Sequence, residues 1–540
     1  MACNIYTQHG ANVLGNANGT AAGVAPLAHL AIYKVCSSSS DGCFESDILA
    51  AMDAVIDDGV DVISISSGGR STRFYEDNLA LGAFSAVQKG ISVICSAGND
   101  GPAHTTLVNG APWILTVGAS TTDRSLRGTA VLGNNVEFNG ESVFPLDSPP
   151  LPPQLPLLYP GMNGVLAASL CDAESLNDTS IVKGKIVLCR IESTRSRRTE
   201  QGQRVKDAGG TAMILMNMDY QGFTTSTDVY AIPATNVNYE DGLTILSYLN
   251  STSTPTATIE FKGTITGDRK SPTVADFSAR GPNYESQGIL KPDVVGPGVN
   301  ILAAWPNLAA NNNTRSNYFE MISGTSVSCP HLSGVAALIK SAHPDWSPAA
   351  IKSAIMTSAD VVDRENHPIM DEEHLPADAF AIGAGYVNPA RASDPGLIYD
   401  IAPDDYIPYL CGLNYTSRKV SKILLRRAHC SAVPIIHEGQ LNYPSFAIRL
   451  RSPSQTFTRT VTNVGVAVSS YNVEDVAPHG ISMVVTPETL NFTRLNEKST
   501  YEVSFRGSEY VGDTFDSRQG YILWKSAKHS VRIPIAAFHL

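Results

Sequence analysis

No stretch of the 540 residues approaches the roughly 18 consecutive apolar residues of a membrane-spanning helix, which argues against a helical membrane protein. Basic residues are in the minority. With 39 Lys and Arg against 51 Asp and Glu, the net charge of −12 argues against a nucleic-acid or anionic-membrane surface. No cysteine spacing reads as a zinc site and no loop reads as an EF-hand, so no metal or cofactor is called for. The opening residues Met1-Ala2-Cys3-Asn4-Ile5-Tyr6 have neither the basic start nor the apolar core of a signal peptide. What is present is ordinary for a globular protein: 43% hydrophobic and 17% charged residues, in a chain long enough for about three domains.

Nine cysteines are spread along the chain. Cys36 with Cys43, Cys171 with Cys189, and Cys411 with Cys430 each close a short polar loop, which suits disulfides in an oxidising compartment. Cys95 and Cys329 lie in apolar strings and read as buried thiols, and Cys3 is left over. Asn-x-Ser/Thr sequons begin at Asn18, Asn177, Asn250, Asn312, Asn414 and Asn491, which with the cysteines lean toward secretion.

The most informative stretch is Gly324-Thr325-Ser326-Val327-Ser328-Cys329-Pro330-His331. Leu332, Val335, Ala336 and Ile339 follow at helical spacing, so one stripe of this helix is expected to be buried. Pro330 is expected in the first turn, where its missing N–H costs nothing. Ser326 then sits at or just before a helix N-terminus, where outward N–H groups carry partial positive charge. A serine so placed can attack a carbonyl while its own N–H holds the oxyanion. On position alone, Ser326 also reads as a simple N-cap.

Upstream, residues 30–120 alternate between apolar runs and amphipathic stretches. Strands are expected at Leu30–Val35, Val60–Ser66, Ile91–Cys95 and Trp113–Val117, and helices at 45–58 and 77–89. This rhythm implies right-handed crossovers and a parallel sheet that binds ligands beyond its strand ends. Two strand ends stand out: Ser66-Ser67-Gly68-Gly69, and Ser96-Ala97-Gly98-Asn99-Asp100-Gly101-Pro102. Each could be a glycine turn and no more. Chemically, Asn99 could aim its amide at the oxyanion beside the Ser326 N–H. Residues 121–275 break the rhythm. Pro145–Pro160 reads as a linker, and a strand at 184–189, a helix at 200–208 and a strand at 211–216 read as a small α/β insert. Seven β-rich runs after about residue 441 suggest a β-sandwich.

The string Gly324–His331 resembles the nucleophile signature of the subtilases, the subtilisin-like serine peptidases, and in particular their plant branch, with Val327 where methionine is usual. Ser96–Asn99 matches the oxyanion segment of that family. Ser66, Ser67 and Gly68, with Ala97 and Gly98, match its substrate-binding backbone. Phe277–Asn283, Lys291–Gly298, Gly383–Pro389 and Asp394–Leu397 match further segments. The resemblance implies a subtilisin-like doubly wound α/β domain at 1–125 and 270–425. A protease-associated domain is expected at 140–265 and a fibronectin-III-like β-sandwich at 441–540. It also implies an extracellular serine endopeptidase acting on proteins or peptides, with no cofactor and with a homodimer left open.

One part of the pattern has no counterpart. Subtilases carry an aspartate in Asp-Thr-Gly or Asp-Ser-Gly and a histidine in His-Gly-Thr-His, and this sequence holds neither. His9 aligns with a segment beyond that histidine, and His331 reads as structural. Losing the histidine costs subtilisin about a millionfold in turnover, or roughly 8 kcal/mol. The expectation is a front-truncated subtilase, inactive and poorly soluble by itself, with unpaired sheet edges. The alternatives are a non-catalytic peptide binder and, in another constellation, a serine esterase.

Overall fold

Two turns of helix–strand alternation between residues 45 and 120 build the centre of the molecule. The computed structural model describes residues 7–36, 42–69, 71–192, 195–305, 318–450, 454–507 and 515–539. Cys3 and the Asn312 sequon lie outside the described residues. Helix Glu45–Asp57 buries Met52 and Val55 and gives way to Gly59, which takes the left-handed conformation (φ 71°) that glycine tolerates best. Helix Asn78–Gln88 starts on Asp77, whose side chain accepts from the N–H groups of Leu79 and Ala80. These helices are the crossovers that let successive strands run parallel. Val62–Ile65 pairs with Ser92–Ser96, which pairs with Leu115–Ser120, which pairs with Val294–Pro297. Every residue of the two inner strands is buried, so both faces of the sheet are covered.

Helix Thr325–Ala342 packs on this sheet with Leu332, Val335, Ala336 and Ile339 all buried. Glycine makes the close approach possible. A Cβ on Gly296 would stand 2.4 Å from Leu332 Cδ2, so no other residue fits there unmoved. Helix Pro348–Thr357 follows, with Ser347 Oγ accepting from the Ala350 N–H as its N-cap.

The expected strand at Leu30–Val35 does not form. The segment has no regular structure and joins no sheet, and Leu30 and Ile32 are 46% and 79% exposed. Among the described residues, Val62–Ile65 is the edge of the parallel sheet, with no strand beyond it. Apolar β-formers make a strand only when a partner supplies the ladder.

Between two neighbouring strands of that sheet, Leu115–Ser120 and Val294–Pro297, the chain leaves to build a second body. It is a closed seven-stranded barrel running from Arg124–Leu132 to Thr256–Thr266, with helices Arg195–Asp207 and Tyr239–Ser251 beside it. This corrects two expectations. The barrel recruits Arg124–Leu132 and Glu137–Glu141 and so begins ahead of residue 140, and Leu155–Leu158 is a barrel strand inside the supposed linker. Pro156 is tolerated opposite Thr256 because the ladder there runs from the Leu157 N–H to the Pro255 carbonyl and does not use an N–H at residue 156.

The C-terminal part is a sandwich of a four-stranded and a five-stranded sheet. Each of the seven β-rich runs forms a strand there. Thr489–Phe492 and the two-residue strand Leu397–Ile398, from outside the expected domain, complete it. The sandwich is tied to the parallel-sheet body by a buried polar cluster. Lys291 Nζ lies 2.6 Å from Asp293 Oδ2, and both side chains are fully buried. The Thr116 N–H donates to the same oxygen at 2.7 Å, and the Tyr443 hydroxyl donates to Asp293 Oδ1.

Candidate active site

Ser326 is the second residue of its helix, not the N-cap. That place belongs to Gly324, whose backbone (φ 154°, ψ 157°) suits glycine and turns the chain sharply into the helix. The first four N–H groups of a helix lack intrahelical acceptors. The Thr325 N–H donates to Asn99 Oδ1 at 2.9 Å, and the Thr325 hydroxyl donates to the same oxygen at 2.8 Å. Two donors on one oxygen fix which way the Asn99 amide faces, so Nδ2 is turned toward Gly324 and Ser326. Neither Asn99 Nδ2 nor the Ser326 N–H makes a hydrogen bond among the described residues.

These two donors converge. A Cβ built on Gly324 would lie 3.6 Å from Asn99 Nδ2 and 3.6 Å from the Ser326 nitrogen. The space between them is open only because residue 324 has no side chain. A carbonyl oxygen placed there would meet two N–H donors, the geometry that stabilises a tetrahedral oxyanion.

Pro330 is the sixth residue of the helix, past the first turn. It therefore removes an interior hydrogen bond, the one that would end on the Ser326 carbonyl. Ser66 Oγ donates to that carbonyl instead, at 2.7 Å, and Ser326 Oγ donates to the Ser66 carbonyl at 3.2 Å. The nucleophile turn and the strand end Ser66–Gly68 are thus stitched together reciprocally. Ser328 Oγ donates to the Gly118 carbonyl at 2.7 Å, and the Cys329 thiol reaches the Ile65 and Ile94 carbonyls. Burial pushes the Cys329 and Cys95 thiols up, so both stay protonated and inert.

The other strand end is held from two sides. Buried Asn109 donates to the carbonyls of Ser67 and Ser96, at 2.9 and 2.8 Å, and bridges the two strand ends. Gly68 and Gly98 both face Val108. A Cβ on each would lie 2.6 and 3.2 Å from Val108 Cγ2, so this side chain floors the gap between Ser66–Gly68 and Ala97–Asn99. On the far side, the Ala279 N–H donates to the Gly98 carbonyl and the Gly101 N–H to the Phe277 carbonyl. The Asp276 N–H in turn donates to Thr224 Oγ1 of the barrel region. Burial pushes the Asp276 carboxyl up to about 7, against the pull of Arg198 and Arg280. Sequence reasoning missed Thr325 as the orienter of Asn99, and it missed Asn109. The Asn109-Gly110 pair was a visible turn signal.

The remaining candidates lie elsewhere. His9 sits on the hairpin Gln8–Val13/Asn16–Ala21, its Nδ1 paired with Thr20 Oγ1 at 3.0 Å. His331 Nδ1 meets the Val327 carbonyl of its own helix at 2.9 Å, and burial lowers its pKa. Among the described residues, no histidine or carboxylate is hydrogen-bonded to Ser326 Oγ, and no group of acidic, histidine or cysteine side chains is gathered to hold a metal. Disulfides join Cys36 to Cys43, Cys171 to Cys189 and Cys411 to Cys430.

The model of the subtilase family matches residues 5–385. The chain is a subtilase. A fibronectin type-III domain model matches residues 440–537, over the sandwich. Similar relatives from Arabidopsis thaliana include subtilisin-like protease SBT1.5, 44% identical, with 97% of this chain aligned to 70% of that protein. Subtilisin-like protease SBT1.7 is also 44% identical, over 98% of this chain and 70% of its own length. This plant subtilase therefore belongs to a family of serine endopeptidases. No helix among its described residues is long and apolar enough to cross a membrane.

Proposed function

We propose that this chain carries the nucleophile and the oxyanion hole of a serine endopeptidase, without the base that activates them. The observation that carries this is that Asn99 Nδ2 and the Ser326 nitrogen, neither with a hydrogen-bond partner among the described residues, both lie 3.6 Å from one open point at Gly324. Ser326 Oγ adds to the scissile carbonyl carbon, and the carbonyl oxygen takes up charge between the two donors. Ser66, Ser67 and Gly68 on one side, and Ala97 and Gly98 on the other, flank an extended peptide, with Val108 beneath it. The hydroxyl proton needs an acceptor, which the Ser66 carbonyl is too weakly basic to be. The 540-residue chain by itself therefore binds peptides and does not cleave them.

The barrel is read as the protease-associated insert and the sandwich as the fibronectin-III-like domain. An extracellular, glycosylated protein fits three disulfides and five sequon asparagines (Asn18, Asn177, Asn250, Asn414 and Asn491) that are all exposed.

Titration with an extended peptide aldehyde tests the site without needing turnover. Ser326 Oγ bonds to the aldehyde carbon, the hydroxyl proton passes through solvent to the former aldehyde oxygen, and the neutral hemiacetal hydroxyl sits in the hole. Ser326→Ala and Asn99→Ala should each weaken binding by at least about tenfold. Equal affinity of all three chains rejects the reading.

A further inference from the structure

A second concavity lies on the barrel, in a different body of the molecule from the nucleophile helix. It encloses about 330 Å³, within the lower range of small-ligand sites. Its floor is Arg190, the last residue of barrel strand Ile186–Arg190. One wall is the turn and short helix that carry Met162, Val165 and Leu166, resting on the ring of Tyr159. The opposite wall is Leu246, on helix Tyr239–Ser251.

The charge of Arg190 is unanswered. No carboxylate pairs with it among the described residues, and its one polar side-chain contact is Nη1 to the Met218 sulfur at 4.0 Å. Its Nε is buried without a hydrogen-bond partner. The nearest acid in sequence, Glu192, is taken up by Arg204 at 3.0 Å and Arg197 at 3.9 Å. A guanidinium stays charged in proteins, and a buried donor left unpaired is costly. Arg124 Nε, on barrel strand Arg124–Leu132, is likewise unpaired, but Arg124 Nη2 donates to the Asn300 carbonyl at 2.8 Å, whereas the Arg190 guanidinium meets no oxygen among the described residues.

The rim adds a second, independent signal. Met162, Val165 and Leu166 are 57%, 51% and 62% exposed, three large apolar side chains side by side over one cation. The disulfide Cys171–Cys189 ties the segment bearing this wall to the residue just before Arg190, so wall and floor are held together before anything binds.

We propose that this pocket binds a small carboxylate with an apolar tail, its two oxygens on the Arg190 guanidinium and its tail against Met162, Leu166 and Leu246. Arg is the side chain best matched to a carboxylate, through two parallel N–H···O bonds. The volume suits a tail of about five to eight carbons, at the small end of ligand pockets. A free acid and the C-terminus of a peptide ending in an aliphatic residue both supply such a carboxylate. The shared chemistry is the same, and the site is independent of Ser326.

Ligand-observed NMR titration of the intact, glycan-free chain tests this with four probes. They are hexanoate, hexanamide, N-acetyl-alanyl-leucine as the free acid, and the same dipeptide as its amide. Hexanoate should saturate with a dissociation constant on the order of 1 mM, which about eight non-hydrogen atoms can support. Hexanamide and Arg190→Gln should each bind at least tenfold more weakly. Leu166→Glu, a change at an exposed position that leaves the fold intact, should abolish hexanoate binding by offering Arg190 a carboxylate of its own. If the dipeptide acid binds tighter than hexanoate and its amide does not bind, the source is a peptide C-terminus. If hexanoate binds tighter, it is a free acid. Failure of hexanoate and the dipeptide acid to saturate by 20-fold above the expected constant overturns the proposal. So does equal binding of acid and amide, or undiminished hexanoate binding by Leu166→Glu. None of these outcomes bears on the peptide-aldehyde experiment.

Discussion

Asp293→Asn is predicted to be among the most damaging isosteric changes available to this chain. Asp293 and Lys291 have no solvent exposure, and the carboxylate collects three donors: Lys291 Nζ at 2.6 Å, the Thr116 N–H at 2.7 Å, and the Tyr443 hydroxyl. An asparagine can keep every hydrogen bond, with its oxygen toward Lys291 and Thr116 and its amide toward Tyr443. What it loses is the charge. Burial already pushes the Lys291 amine down, and the charge of Asp293 is the strongest force holding it up. Removing one member of a buried ion pair costs about 3–5 kcal/mol, because the other charge is left unpaired. With a urea slope of about 3 kcal/mol per M, the unfolding midpoint falls by about 1–1.7 M. Tryptophan fluorescence follows it, since Trp113 is buried one residue before Ile114, whose carbonyl accepts from Lys291. Lys291→Met combined with Asp293→Asn should recover at least half of the loss, because the stranded cation is gone. A midpoint shift under 0.3 M for Asp293→Asn, or no recovery in the double variant, would refute the reasoning.

Three further outcomes are expected. Asp276 is raised to about 7 by burial, so its neutral form belongs to the folded state. Its contribution is complete below the unfolded value of about 3.9 and is lost as pH rises through about 7. Urea midpoints of Asp276→Asn, measured from pH 4 to pH 8, should fall less steeply with pH than those of the parent chain. Replacing Cys171 and Cys189 by alanine opens a link with a sequence separation of 18, worth about 3 kcal/mol by loop entropy, and should lower the thermal midpoint of the barrel in a melting scan. Gly296→Ala drives a methyl to 2.4 Å from Leu332 Cδ2, and should cost about 1–3 kcal/mol in a denaturation series by lifting the nucleophile helix off the sheet.

The parts legible in the sequence are those set by local chemistry. Helices Glu45–Asp57 and Asn78–Gln88 show in their apolar spacing and their glycine stops, and the inner strands show as short, mostly apolar runs. The buried stripe of Leu332, Val335, Ala336 and Ile339 shows in the same way. Long-range pairing does not show. Leu30–Val35 has the composition of a strand and no neighbour to make it one. The barrel closes through Arg124–Leu132 against Thr256–Thr266, about 130 residues apart and rich in polar side chains, so its first strand falls mostly in the gap between the two expected domains. The same holds at the site. Gly324–His331 and Ser96–Asn99 could be picked out one by one. Thr325 turning the amide of Asn99 spans 226 residues, and Asn109 bridging two strand ends spans 42 and 13, and neither leaves a periodic trace. Pro330 could be placed in a helix, but its depth there depends on where Gly324 starts the first turn.

The central proposal is that the nucleophile and oxyanion hole are assembled while the hydroxyl of Ser326 has no base among the described residues. Its most direct test is turnover of a quenched-fluorescent peptide and of a small ester by the purified 540-residue chain, side by side with Ser326→Ala. The account predicts that the two chains release both products at the same background rate. Peptide hydrolysis by the parent chain that disappears in Ser326→Ala would contradict it, and ester hydrolysis alone that disappears in the same way would favour an esterase.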